Sequence, residues 1–184
     1  MLLLTMYFYQ RFFKKFLMRS RIINYMGQKG IVTIGTQDVE HLLIKNEISI
    51  LSEINEKLGP QILSANFDPK PRLVKQFLEG HLLNEINKRN WFEKIKLLRS
   101  KLERLHTKGI IHGDIKASNI ICTDQDVKLI DWQCAMRIGD RVEKLKFRPC
   151  SLGSTHPDLI WARGIVTERF DHYSLNSLIN DAKL

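Results

Sequence analysis

Two short segments constrain this chain more than the rest of it: His112-Gly113-Asp114-Ile115-Lys116-Ala117-Ser118-Asn119 and, further on, Leu129-Ile130-Asp131-Trp132. Asn119 follows Asp114 by five residues, and Asp131 follows Asn119 by twelve. Asn119-Ile120-Ile121-Cys122 and Val127-Lys128-Leu129-Ile130 are short apolar-rich runs. Thr123-Asp124-Gln125-Asp126 between them has turn composition, so the three together predict a β-hairpin. Such a hairpin puts Asn119 and Asp131 at the same end of neighbouring strands, close enough to share a cation. Upstream, Trp91, Ile95, Leu98, Leu102 and Leu105 recur at helical spacing, and Gly109 supplies a stop. That helix would deliver Asp114 from a packed element.

The residue types in this pattern have a common chemical use. Moving a phosphoryl group needs a carboxylate to orient the acceptor hydroxyl, a cation to offset charge on the transferring group, and Mg²⁺ ligands that bridge the nucleotide phosphates. Asp114 and Lys116 are the candidate catalytic side chains, and Asn119 and Asp131 the candidate metal ligands. His112 is read as a support for the loop through a side-chain hydrogen bond.

On these residues the chain resembles the protein-kinase-like superfamily, whose signature sets an Asn five residues after a catalytic Asp and a second Asp after a following strand. The resemblance runs roughly from Ile31 to Leu178. Ile31-Val32-Thr33-Ile34-Gly35 is similar to the third strand of the N-lobe. Ile44 to Leu51 is similar to helix C, with Glu47 at the ion-pairing position. Arg72 to Gly80 resembles the strand and hinge that present backbone groups to adenine, and it carries Gln76 and Leu78 as candidate nucleotide contacts beside Glu47 and Asn119. Gly153 to Leu159 resembles the end of an activation segment. Asp171 to Leu175 resembles the start of helix F, where Asp171 is expected as a buried acceptor for catalytic-loop donors or as a helix N-cap.

The resemblance implies an α+β, two-lobed kinase-like fold with a reduced N-lobe, and a C-lobe truncated after helix F, since the sequence stops about ten residues past that motif. Residues 21–80 would form the N-lobe and hinge, and residues 81–184 the C-lobe. ATP and Mg²⁺ are the implied cofactors. The pattern departs from the family in three places. Thr33 stands where the family carries the strand Lys that pairs with the helix C Glu and holds the α- and β-phosphates. Of the nearby cations, Lys29 is four strand residues away, about 13 Å along the backbone, and Lys45 is two helical positions from Glu47 and off its face. The phosphate anchor is therefore unassigned. Gly27-Gln28-Lys29-Gly30 has the composition of a tight turn and lacks the spacing of a phosphate-covering loop, and Trp132-Gln133 replaces the Phe-Gly that usually follows the metal Asp.

HGD in place of HRD is similar to atypical branches of the superfamily, including small-molecule kinases, lipopolysaccharide core kinases and the RIO-like group. Lys116 and the Gly153 to Leu159 segment point to enzymes that phosphorylate protein Ser/Thr hydroxyls. The expected activity is thus an ATP-dependent, bacterial-type Ser/Thr protein kinase. A glycolipid or sugar kinase at the membrane surface and a nucleotide-binding pseudokinase scaffold are the alternatives.

With 184 residues, 43% of them hydrophobic, the chain is long enough for one or two small lobes around a real core. Its three cysteines show no CxxC pairing, which argues against a disulfide framework and a structural zinc site and favours a reducing, cytoplasmic setting. The net charge is +9, and residues 1–37 hold six of the excess positive charges with no Asp or Glu. Within residues 1–20, Phe8, Phe12 and Phe16 form one helical stripe while Arg11, Lys14 and Lys15 face elsewhere. That is the pattern of a basic amphipathic helix on an anionic membrane surface, or of an element docked on the N-lobe. The apolar run is well short of the ~20 residues a membrane span requires. The basic residues follow it, unlike those of a signal peptide. No nucleic-acid-binding motif is present, and no nucleic-acid partner is expected.

Overall fold

The computed structural model describes residues 20–183 except 55, 150 and 152. The amphipathic reading of the N-terminal segment falls on residues 1–19, outside the described residues.

The chain opens with a hairpin, β1 (Ser20–Tyr25) and β2 (Gln28–Ile34). Met26 and Gly27 form its two-residue loop with φ of 50° and 83°, the positive pair that lets a tight loop follow the right-handed strand twist. The tight turn expected over Gly27–Gly30 is therefore centred two residues earlier. Gln28, Lys29 and Gly30 belong to β2, because Tyr25 pairs with Gln28 and closes the hairpin there. Helix α1 (Asp38–Glu53) follows. At its start the Glu40 carboxylate accepts the Thr36 and Gln37 backbone N–H groups at 2.6 and 3.1 Å, satisfying donors that the first turn leaves open. β3 (Ile62–Asn66) and β4 (Arg72–Gln76) complete an antiparallel sheet of order β1-β2-β4-β3.

Register decides what this sheet presents. Ile31 pairs with Lys75 and Thr33 with Leu73, so these four side chains share one face. Thr33 and Leu73 are fully buried there, as is Ile44 of α1.

The second region is mainly helical. In α2 (Trp91–His106) all five residues of the helical stripe are buried, each worth about 1.5–3 kcal/mol of apolar burial. The expected stop holds: the helix ends at His106, and Gly109, at φ 71°, donates its N–H to the His106 carbonyl at 2.8 Å. The short strands β5 (His81–Leu82), β7 (Ile120–Cys122) and β8 (Val127–Leu129) form one sheet, and β6 (Ile110–Ile111) pairs with β9 (Met136–Arg137). β7 and β8 are the predicted hairpin, and Ile130 N–H donates to the Asn119 carbonyl at its mouth. Helices α3 (Pro157–Ile160) and α4 (Arg169–Ala182) close the region.

One apolar core joins both regions, running from Ile50 of α1 and Leu73 of β4 through Leu98 and Leu102 of α2 to Trp132 and Leu175. The expected α+β, two-lobed architecture is what forms. Among the described residues no helix is long and apolar enough to cross a membrane.

Candidate active site

The catalytic loop runs from β6 to β7, and α4 braces it from below. Asp171, fully buried in the first turn of α4, accepts the His112 N–H at 2.9 Å and the Gly113 N–H at 2.8 Å. His106, at the end of α2, meets the same carboxylate through Nε2 at 3.0 Å. Of the two roles open to Asp171, the buried acceptor is the one observed; Glu168 occupies the N-cap position. His112 is buried, with Nε2 donating to the Ile130 carbonyl at 3.0 Å and Nδ1 accepting the Asp114 N–H at 3.3 Å. It ties the loop to the hairpin. Gly113 cannot be replaced in this arrangement: its φ is 81°, and an added Cβ would sit 2.8 Å from the Cys134 carbonyl oxygen.

Asp114 sits where three donors converge. Lys116 Nζ is 2.6 Å from Oδ2, Asn119 Nδ2 is 3.1 Å from the same oxygen, and the Ser151 hydroxyl donates to Oδ1 at 3.0 Å. Asn119 also donates to the Asp114 carbonyl at 2.9 Å. With its amide nitrogen so engaged, its side-chain oxygen is the group left for a cation. Asp131 lies just past β8 with a left-handed backbone, φ 64° and ψ 63°. Burial pushes its carboxyl above the usual range, and the neighbouring Glu47 and Asp114 carboxylates push it further, against the opposing charge of Lys75. The Cys134 thiol is pushed up by burial first and then by Asp114 and Asp131. The cleft is thus a concentration of negative charge lined by hard oxygen donors, the chemistry that suits Mg²⁺. Among the described residues no group of three or more His, Cys, Asp or Glu forms a complete metal site.

Trp132 is buried, donates Nε1–H to the Leu129 carbonyl at 2.9 Å and lies edge-on to His112 at 4.7 Å. Gly59 admits it, since a Cβ there would lie 2.7 Å from Nε1. The aromatic therefore acts as a fixed strut behind Asp131. The segment is also tied to α1, because Asn46 Nδ2 donates to the Gln133 and Ala135 carbonyls at 2.9 and 3.0 Å.

Glu47 is fully buried, and its partner is Lys75 of β4, with Nζ 2.5 Å from Oε1. Neither cation weighed from the sequence reaches it. Lys29 lies 3.7 Å from Glu79 and over the Phe77 ring, and Lys45 points toward Phe67. Spacing does not mark Lys75, which belongs to the strand leading into the hinge; a lone Lys inside the apolar run Leu73-Val74-Lys75 is the one local signal of it. Ser151, Asn46 and His106 also escaped the sequence reading, having no spacing signature of their own. Of the candidate hinge contacts, Gln76 has its N–H taken by the Gln61 carbonyl at 2.8 Å. Phe77 N–H goes to the Lys29 carbonyl, and among the described residues Leu78 N–H has no partner. Gln76 and Leu78 line a cleft of about 220 Å³ with Phe77, Glu79 and Ile121.

A family described as "Protein kinase domain" matches residues 29–182. The chain is 31% identical to a probable cyclin-dependent kinase 10 of Dictyostelium discoideum over 169 residues, 82% of this chain and 44% of that protein. It is 41% identical over 76 residues to the proto-oncogene serine/threonine-protein kinase mos of Sus scrofa, covering 38% of this chain and 21% of that one. A serine/threonine-protein kinase D of Synechocystis is 37% identical over 90 residues, 46% of this chain and 18% of its own length. The chain spans less than half the length of these relatives.

Proposed function

Because this chain belongs to the protein kinase domain family, we propose that it is an ATP-dependent phosphotransferase acting on Ser/Thr hydroxyls of protein substrates. The observation that carries this reading is the environment of Asp114: a carboxylate that already receives a serine hydroxyl at 3.0 Å and a lysine ammonium at 2.6 Å, with the Asn119 amide at 3.1 Å and the Asp131 carboxyl close enough to feel its charge. An acceptor hydroxyl in the place of Ser151 would meet the same oxygen.

In this mechanism Asp114 orients the acceptor hydroxyl and receives its proton. Lys116, adjacent to Asp114, offsets charge on the transferring group. Asn119 and Asp131 would hold Mg²⁺ through their side-chain oxygens, and Leu78 offers its N–H to the base edge. ATP would supply the phosphoryl group, and a bound Mg²⁺ would offset charge on its phosphates. Asp171 and His112 hold the loop, so the Asp114 carboxylate is positioned before substrate arrives.

A protein acceptor is favoured over a glycolipid because the similar proteins are named as serine/threonine-protein kinases. Incubation with radiolabelled ATP, Mg²⁺ and either generic protein or lipopolysaccharide acceptors tests the reading. Transfer to protein Ser/Thr that vanishes in Asp114→Ala is the expected result. Transfer to the glycolipid alone, or nucleotide binding with no transfer, contradicts it.

A further inference from the structure

We propose that Lys75 of β4 holds the nucleotide phosphates in this chain, a task displaced from β2, where Thr33 offers no cation. The inference rests on the nucleotide-dependent reading above.

Geometry allows the exchange. Thr33 pairs with Leu73, two residues from Lys75, so Thr33 and Lys75 are diagonal neighbours on one sheet face. Such neighbours lie roughly 7–8 Å apart, within the reach of a lysine side chain, so a cation rooted at either position can serve the same point. Thr33 instead spends its hydroxyl on Ser20 Oγ at 2.9 Å. Lys29 and Lys45 are drawn to Glu79 and Phe67, away from Glu47.

The pair with Glu47 is poorly explained by stability alone. Two buried charges are costly to desolvate, and apolar residues of similar size usually do as well. Here the pair is also incomplete, since Glu47 Oε2 is buried with no hydrogen-bond partner among the described residues. An ammonium carries three donors. Glu47 Oε1 takes one, which leaves two on a side chain that keeps a tenth of its surface open. Lys75 lies near the end of β4, on the same sheet face as Thr33. It also stands immediately before Gln76, so one strand would present both the phosphate anchor and the start of the hinge. A polyanion at that spot satisfies the free donors and balances a cation that Glu47 fixes in direction.

The test uses the wild-type protein and an acyl-phosphate derivative of ATP. A lysine amine near the phosphates attacks the acyl carbon: the amide bond forms, the carbon–oxygen bond to phosphate breaks, ATP leaves and the amine proton passes to solvent. Mass spectrometry should find the label on Lys75, with or without Lys116, reduced at least tenfold by excess Mg-ATP. ATP-protected label on Lys116, Lys29 or Lys45 without Lys75 would overturn the assignment while leaving the nucleotide site standing. No ATP-protected label anywhere would defeat the nucleotide reading and the anchor with it. A paired measurement separates anchoring from packing. Lys75→Met should raise KM for ATP and lower kcat, and Thr33→Lys/Lys75→Met should recover at least tenfold in kcat/KM. A folded double variant no better than Lys75→Met would contradict the exchange.

Discussion

The cleft is lined by two regions that hold their functional groups in different ways. On the helical side, Asp114, Asn119 and Asp131 fall within eighteen residues, and hydrogen bonds beside them hold the segment: Gly113 donates to the Asp171 brace, Asn119 to the Asp114 carbonyl and Ile130 to the Asn119 carbonyl. On the sheet side, Glu47 and Lys75 are 28 residues apart and meet only because α1 packs across β4. Where backbone geometry fixes a group, chemistry and position are bound together. Where two side chains meet across a packed interface, any neighbouring position on the same face can supply the charge. The helical side therefore keeps its spacing, and the sheet side has room to move its lysine.

The largest effect on the helical side is expected from Asp171→Ala. Removing its carboxylate strands the His112 and Gly113 N–H groups, each costing about 1–3 kcal/mol when left buried and unpaired. Calorimetry should show a large loss of stability, and phosphate transfer should fall with it; a loop that stays active would mean the brace is dispensable. A smaller effect is expected at Asn46, which joins the two sides. Asn46→Ala loses two hydrogen bonds to the segment after Asp131, about 0.5–1.5 kcal/mol each. Turnover should fall more than ATP affinity, and a change in neither would break the proposed coupling of α1 to the metal segment.

That contrast explains what could be read from the sequence. The hairpin and the α2 stripe depend on contacts within short windows, and spacing exposed them; Asp171 meets His112 and Gly113 across 59 and 58 residues, and its role was legible only through the resemblance to the family. Lys75 depends on which strand lies beside which, and on the Ile31–Lys75 register, information that no local window contains. Ser151 reaches Asp114 across 37 residues of chain and was hidden for the same reason. Trp132 was visible as a departure, but its role as a strut emerges only with Gly59 opposite it.

Asp131 gives a subtler effect, with a definite sign. Its carboxyl is held above its ordinary value of about 3.9. Ionising it therefore opposes folding, and stability without metal should fall as pH rises through that raised value. A cation needs the ionised form, so stabilisation by Mg-ATP should grow over the same window. Asp131→Asn should raise the apo melting temperature by a few degrees, about 2–4 °C per kcal/mol for a chain of this size. It should also abolish the Mg²⁺-dependent increment, which is about 2.7 kcal/mol at a hundredfold excess over Kd. A variant that melts earlier without metal would contradict the charge account. Smaller again is Glu40→Ala, expected to cost about 1 kcal/mol through loss of the α1 cap. Its melt checks that the sheet side tolerates loss of this cap while the Lys75–Glu47 pair stays intact.

The division of labour between the two regions is tested most directly by measuring Mg-ATP affinity and single-turnover phosphate transfer on the same preparations of wild type and Asp114→Ala. In the proposed mechanism Asp114 contacts the acceptor and contributes little to holding the nucleotide, so its loss should appear in turnover and barely in binding. The account predicts affinity within a few fold of wild type and transfer lower by on the order of 10² or more. Equal transfer by both proteins, or a loss of affinity that accounts for the whole drop, would contradict it.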